Sequence, residues 1–155
     1  LKAIQSVHQT TSLLPKMKIQ HTEFHIETNG QGTYEISDKI RSVLKSSGLE
    51  NGTLNVFCRH TSCSLVLMEN ADPSARHDLE NYLNRLVPDN DPHFTHTYEG
   101  PDDMPSHIKT ALTRSSESIP FTKGNLLLGT WQGLFLWEHR IQTHTRHLVV
   151  SIVGE

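Results

Sequence analysis

Residues 60–80 read HTSCSLVLMENADPSARHDLE, and the pattern inside them decides the fold class. Ser64 to Met68 is a short, mostly apolar run, which suits a buried strand. Asp72-Pro73 opens a helix: Asp is a preferred N-cap, and Pro fits the first helical position, where its missing N–H has no intrahelical partner to lose. Ala75, Leu79, Tyr82, Leu83 and Leu86 then recur at helical spacing, and Pro88 stops the helix. The polar residues His60, Thr61, Ser62, Glu69, Asn70 and Asp72 fall at the ends of these elements, where a scaffold holds side chains toward a ligand.

Upstream, Met17 to Thr28 alternates and carries polar residues on both faces, so it reads as a strand near a sheet edge. Asn29 to Gly32 is a turn, and Thr33 is expected to cap a helix with Ile36, Ile40, Val43 and Leu44 on its inner face. Gly48 ends that helix. Thr53 to Arg59 is a strand in which Leu54, Val56 and Cys58 share a face. Period-2 logic extends that face to His60. Downstream, Pro88 to Met104 is a long loop, expected to be ordered by burial of Phe94 and Tyr98. A short helix follows, marked by Asp103, Pro105, Ile108, Ala111 and Leu112, with His107 in its first turn. Ser118–Phe121, Leu126–Trp131, Gly133–His139 and His147–Val153 read as strands, with Lys123-Gly124 as a turn. Strands and helices neither alternate regularly nor segregate, so the class is α+β with mainly antiparallel sheets.

The 155 residues form one domain, spanning 1–155, a length that buries roughly 70% of the unfolded surface. The net charge of −3 and the absence of a Lys/Arg run argue against a nucleic-acid partner. No apolar run is long enough to span a bilayer, and Leu1 to Lys18 does not read as a signal peptide. Cys58 and Cys63 flank the HTS turn, close enough for a bridge to be sterically conceivable. Two reduced cysteines of a cytoplasmic protein are the plainer reading.

Eleven histidines are the compositional oddity. His60, His96 and His107 lie at a strand end, in the loop and at a helix start. Three neutral imidazoles with an open fourth position make a catalytic zinc arrangement, although no local HxxxH or CxxC supports it and independently placed surface histidines compete with it. His77, His93, His144 and His147 read as solvent or structural residues. Among the carboxylates, Asp72 has a capping role. Glu69 and Glu138 each follow an apolar run, so each has to be paired, hydrogen-bonded or functional. Either suits a general base or a metal ligand, with a buried ion pair to Arg76 or Arg140 as the alternative. Thr61, Ser62, Arg140, Arg76 and Lys109 are candidates for holding phosphate. Trp131 and Gln132 could stack on and hydrogen-bond a flat heterocycle, or could simply be packed. No Walker loop or GxGxxG is present.

The segments HTS, ENADP, HDLE, THTYEGPDDMPSHIK (95–109), LLLGTWQGLFLWEHR (126–140) and RHLVVSIVGE (146–155) resemble motifs of the YjbQ-like family, also called secondary thiamine-phosphate synthases. The resemblance implies two packed β-sheets with helices outside and a homotrimer around a threefold axis. It implies transferase activity joining a pyrimidine diphosphate ester to a thiazole phosphate, with release of pyrophosphate. It also strengthens a divalent metal, zinc by preference, at His96 and His107, which stand in matching motifs. Glu69, Asp72 and Glu138 are the catalytic candidates, and a small phosphorylated molecule is the expected substrate. The sequence lacks the dense Asp/Lys/Arg clamp expected of a dedicated diphosphate enzyme. A zinc-dependent hydrolase of a small phosphorylated substrate, and a non-enzymatic trimer binding a metal or anion, are therefore the alternatives.

Overall fold

A computed structural model describes residues 16–155. The elements run β1 (Lys18–Asn29), β2 (Gly32–Glu35), α1 (Ser37–Ser47), β3 (Gly52–Cys58), β4 (Cys63–Glu69), α2 (Pro73–Leu86), α3 (Asp103–Leu112), β5 (Ser116–Thr122), β6 (Asn125–Leu126), β7 (Gln132–Glu138) and β8 (Thr143–Gly154). They build two sheets, ordered β1-β8-β3-β5-β6 and β2-β7-β4. All strand pairings are antiparallel, so the α+β class and the edge position of β1 both hold.

The core lies between the sheets. Leu54 and Val56 of β3, Ile119 and Phe121 of β5, and Leu148, Val150 and Ile152 of β8 meet Leu65 of β4 and Leu134 and Leu136 of β7. Ile36, Ile40 and Leu44 join the same cluster from α1. Burying each aliphatic side chain of this kind contributes about 1.5–3 kcal/mol. β7 lies between two neighbours and is buried on both faces from Gly133 to Glu138. That double burial is why its sequence is a continuous apolar run rather than an alternation. Gly52 is obligatory: its φ is +156°, and a Cβ there would strike the Val153 carbonyl oxygen and come within 2.7 Å of the Gly154 Cα.

Several local expectations are corrected. Thr33 does not cap α1. It pairs with Trp137 inside β2, and its N–H and hydroxyl both donate to Glu80 Oε1. The helix begins at Ser37 without a side-chain cap and ends at Gly48, whose φ of 65° is left-handed as a C-terminal glycine allows. The Leu126–Trp131 strand reduces to Asn125–Leu126, because the Gly129 N–H is taken by Gln132 Oε1 in a local turn. Tyr98 is fully exposed, leaving Phe94 as the half-buried anchor of its loop. On α2 only Leu83 is buried, while Tyr82 and Leu86 are exposed. β3 stops at Cys58, so His60 leaves the inward parity of Leu54 and Val56.

Candidate metal centre

Asp103 opens α3, and His107 follows it by one helical turn, so both side chains project from one face of the helix. His96 reaches the same place from the preceding loop. Its Nε2 lies 2.9 Å from Asp103 Oδ2, and His107 Nε2 lies 3.4 Å from that same oxygen. The three donor atoms sit within 4.8 Å of one another. Neither contact has hydrogen-bond geometry, and Asp103 Oδ2 is a buried oxygen without a donor. An unpaired buried carboxylate oxygen is costly. Two imidazole nitrogens and one carboxylate oxygen are a donor set that a divalent cation such as zinc takes, with a remaining position free for water or substrate.

The surroundings hold that set in place. His107 Nδ1 lies 2.8 Å from the Thr61 carbonyl oxygen. A carbonyl only accepts, so Nδ1 carries the proton and Nε2 presents its lone pair. Asp103 Oδ1 accepts from the Arg140 guanidinium, which leaves Oδ2 turned to the histidines. Arg140 also donates to Asp102 Oδ2 at 3.0 Å and to the Glu99 carbonyl at 2.8 Å. The Ile141 N–H donates to the same Asp102 oxygen. Burial works to raise the Asp102 pKa, but the Ile141 N–H and Arg140 outweigh it and hold the carboxyl below its ordinary range. Negative charge at the start of α3 is further favoured by the helix dipole. His96 is about half exposed and borders a cavity of about 320 Å³ lined by Asn90, Phe94, Thr97 and Met104.

His60, expected as the third metal ligand, stands elsewhere. Its Nε2 accepts from the His147 backbone N–H at 2.7 Å, and its ring stacks on that of His147. The lone pair needed for a metal is therefore spent, and the third residue grouped with His96 and His107 is Asp103. In the sequence Asp103 reads only as a helix start, and the carboxylates that suggest a ligand there are Glu69 and Glu138. The signal was present as D-x-x-x-H, a carboxylate and an imidazole at i,i+4 on a helix.

Glu138 is a structural anion. Arg146 binds it through Nε and Nη2, both at 2.6 Å, while Thr28 Oγ1 donates at 2.8 Å and the Arg140 N–H at 3.0 Å. Burial opposes its charge, yet these donors keep its pKa below the ordinary range, which is unsuited to a base working near neutrality. The expected ion pair is real, but Arg146 replaces Arg76 and Arg140 as the partner. Arg76 lies instead over the Phe135 ring. His139 is buried with Nε2 2.8 Å from Ser64 Oγ, and burial, with the nearby Lys109 charge, pushes its pKa down to about 3.

Glu69 is exposed and pairs with Gln132, at the opposite end of β4 from Cys63 and the HTS turn. Seven strand residues separate those ends by roughly 20 Å. Asp72 caps α2 by accepting from the Ser74 N–H at 2.9 Å. Trp131 is exposed beside that same remote end, and Gln132 is occupied with Gly129. Ser62 is buried, and its carbonyl faces Arg146 at 3.5 Å. Thr61 is exposed and lines a cleft of about 690 Å³ with Arg59, His60 and Thr110. Lys109 is buried with Nζ 2.8 Å from Asn84 Oδ1, and Arg140 is committed to Asp102 and Asp103. Neither cation is free for a phosphate.

Comparisons with known proteins agree with the fold. The family described as "UPF0047 protein YjbQ-like" matches residues 22–155. A UPF0047 protein of Synechocystis sp. is 47% identical over 137 residues, 88% of this chain and 93% of that protein. The UPF0047 protein YjbQ of Salmonella typhimurium is 43% identical over 132 residues, 85% of this chain and 89% of that protein. A crystal structure of an uncharacterised YjbQ/UPF0047 protein from Clostridium acetobutylicum matches with a TM-score of 0.77 at 32% identity, over 84% of this chain and 98% of that one. That of a YbjQ-like protein of unknown function from Sulfolobus solfataricus shares the fold, with a TM-score of 0.81 at 24% identity over 90% and 100% of the two chains. With nearly the whole chain covered by sequence and by fold, this protein belongs to the UPF0047 YjbQ-like family.

Proposed function

We propose that this chain is a divalent-cation-dependent enzyme acting on a small phosphorylated substrate, with His96, Asp103 and His107 holding the cation. The observation that carries this reading is the buried, donorless Asp103 Oδ2 facing two imidazole nitrogens. The reaction proposed is the transferase condensation implied by the family resemblance. The C–O bond of a pyrimidine-methyl diphosphate breaks, its electron pair leaves with the diphosphate, and the thiazole nitrogen lone pair forms the new C–N bond. A bound divalent cation supplies charge stabilisation to the departing diphosphate oxygens. This chemistry needs no general base, which fits a centre where Glu138 is locked by Arg146 and Glu69 stands at the far end of β4. His107, fixed by Thr61, and Asp103, fixed by Arg140, keep the donor set oriented. The cleft beside Thr61 offers space for a ring, and the Arg59 guanidinium, paired among the described residues with the exposed Glu23, would supply charge for a phosphate.

Self-association is proposed with it. Ile19 and Val153 pair on the outer face of the five-stranded sheet and Phe57 stands farther along the same face, exposed at 67, 40 and 46% of their surface, and exposed apolar side chains there support a homotrimer contact. Among the described residues no helix is long and apolar enough to cross a membrane. A cytoplasmic setting is proposed as well, in line with a sequence that has two cysteines and no disulfide framework.

The test is formation of thiamine phosphate from the two precursors by purified protein, stripped with chelator and resupplied with zinc or cobalt. A rate that returns with the cation and vanishes in His107→Ala is expected. Cation-dependent hydrolysis of phosphate esters without condensation would replace the transferase with a hydrolase. Cation binding without turnover would reduce the protein to a binding module.

A further inference from the structure

Cys58 ends β3 in one sheet, Cys63 begins β4 in the other, and residues 59–62 connect them. Their sulfurs lie 3.2 Å apart, and the Cys58 thiol also reaches the Cys63 carbonyl at 3.5 Å. A disulfide needs an S–S separation of about 2.05 Å, so roughly 1 Å of closure joins them. Both residues are buried, but Cys58 borders the 690 Å³ cleft between the HTS turn and α3. The hydrogen bond from Cys63 holds the Cys58 thiol below its ordinary range against the opposing effect of burial, with Arg146 contributing, while Cys63 is pushed up. The two sulfurs are thus unequal: Cys58 is the more readily ionised and belongs to the residue that borders the cleft, and Cys63 is the less readily ionised.

We propose that Cys58 and Cys63 form an oxidisable dithiol site that takes a small hydroperoxide from this cleft. The Cys58 sulfur attacks the terminal peroxide oxygen. The O–O bond breaks, the leaving oxygen departs with its electron pair and is protonated to water or an alcohol, and Cys58 becomes a sulfenic acid. The Cys63 sulfur then attacks the Cys58 sulfur, the S–O bond breaks, and hydroxide leaves to be protonated to water. Two thiols together lose two electrons and two protons, and the hydroperoxide gains them. The turn closed by this bond carries Thr61, whose carbonyl orients His107.

The experiment treats the native full-length chain with hydrogen peroxide, quenches with acid, unfolds it, alkylates it and measures its mass. Wild type should lose both alkylatable thiols and two hydrogens, at least about tenfold faster folded than unfolded in guanidinium, because the fold holds the sulfurs together. Cys63→Ala should stop at a Cys58 sulfenic acid captured by dimedone, and Cys58→Ala should keep its remaining thiol. Equal or slower disulfide formation in the folded chain overturns the proposal. That comparison needs no variant to fold and no metal to bind. Dimedone capture at Cys63 instead of Cys58 in the respective single variants overturns the assigned roles.

Discussion

Replacing Glu138 by glutamine separates a structural anion from a catalytic one. The side chain is 0% exposed and its Arg146 partner 4% exposed, with two contacts at 2.6 Å. Glutamine keeps the shape, so no cavity opens and the loss is one of charge. It leaves the Arg146 guanidinium buried without a counter-ion and turns an amide N–H₂ toward its donors. Breaking a buried pair from one side in this way costs about 3–5 kcal/mol, a large part of the roughly 5–15 kcal/mol that holds a domain folded. In a chain of this length the melting temperature should fall by roughly 10 °C. Cation content should not change, because Asp103 is held by the Arg140 side chain rather than by Glu138. Replacing both partners, Glu138→Leu with Arg146→Met, should recover part of the loss, since desolvated charge is removed along with the attraction while the Arg140 N–H and the Thr28 hydroxyl lose an acceptor. The pH dependence follows in sign. The folded pKa of Glu138 is depressed, so its contribution is complete above the unfolded carboxylate range and is lost as pH falls through the folded value. Acid unfolding of wild type should therefore be steeper than that of Glu138→Gln. Denaturant melts with metal analysis check this. An unchanged melting temperature with lost turnover would refute the structural assignment and return Glu138 to the chemistry.

Asp103→Asn should lower cobalt affinity by at least the roughly 10–100-fold that loss of a ligand's supporting partner costs, whereas His60→Ala should leave it unchanged; equal effects, read by equilibrium dialysis, would restore the three-histidine centre. His139 stays neutral in the fold down to about pH 3 but takes a proton near 6.5 when unfolded, so stability is lost as pH falls between those values. By pH 4 that loss is about 3 kcal/mol, and His139→Gln should flatten the slope in denaturant melts; parallel slopes would contradict the burial argument. Phe57→Asp should shift the molar mass in light scattering to that of a single chain, while a mass already that of a single chain in wild type would remove the outer sheet face as a self-contact.

The strands and helices that alternate or recur cleanly were legible because one face of each is buried. α1, β3 and β8 follow that rule, and the family motifs matched the architecture that resulted. The failures are equally physical. Leu126 to Trp131 is apolar enough for a strand, but Gln132 closes the Gly129 N–H into a turn and the ladder never continues. Thr33 is as good a cap as any threonine, yet a partner 47 residues away, Glu80, claims it. His60 was assigned inward by parity, and parity ends where the strand ends. Glu69 looked anomalous after four apolar neighbours, but it sits past the covered part of β4, where water solvates it. For Thr33 the deciding contact is long-range, and local spacing carries no trace of it.

The third donor of the centre shows why composition misled. Histidine is conspicuous because it is scarce, and counting histidines favours a set made of them. A buried carboxylate is harder to place than a third imidazole, since its charge must be compensated before any cation arrives. Here the compensation is built from two sides: α3 directs its N-terminal dipole at Asp103, and Arg140, delivered from the end of β7, takes Oδ1. Only Oδ2 is left without a donor. The arginine that sequence reasoning assigned to substrate phosphate therefore acts one step back. It makes a buried anion tolerable and aims Oδ2 at His96 and His107.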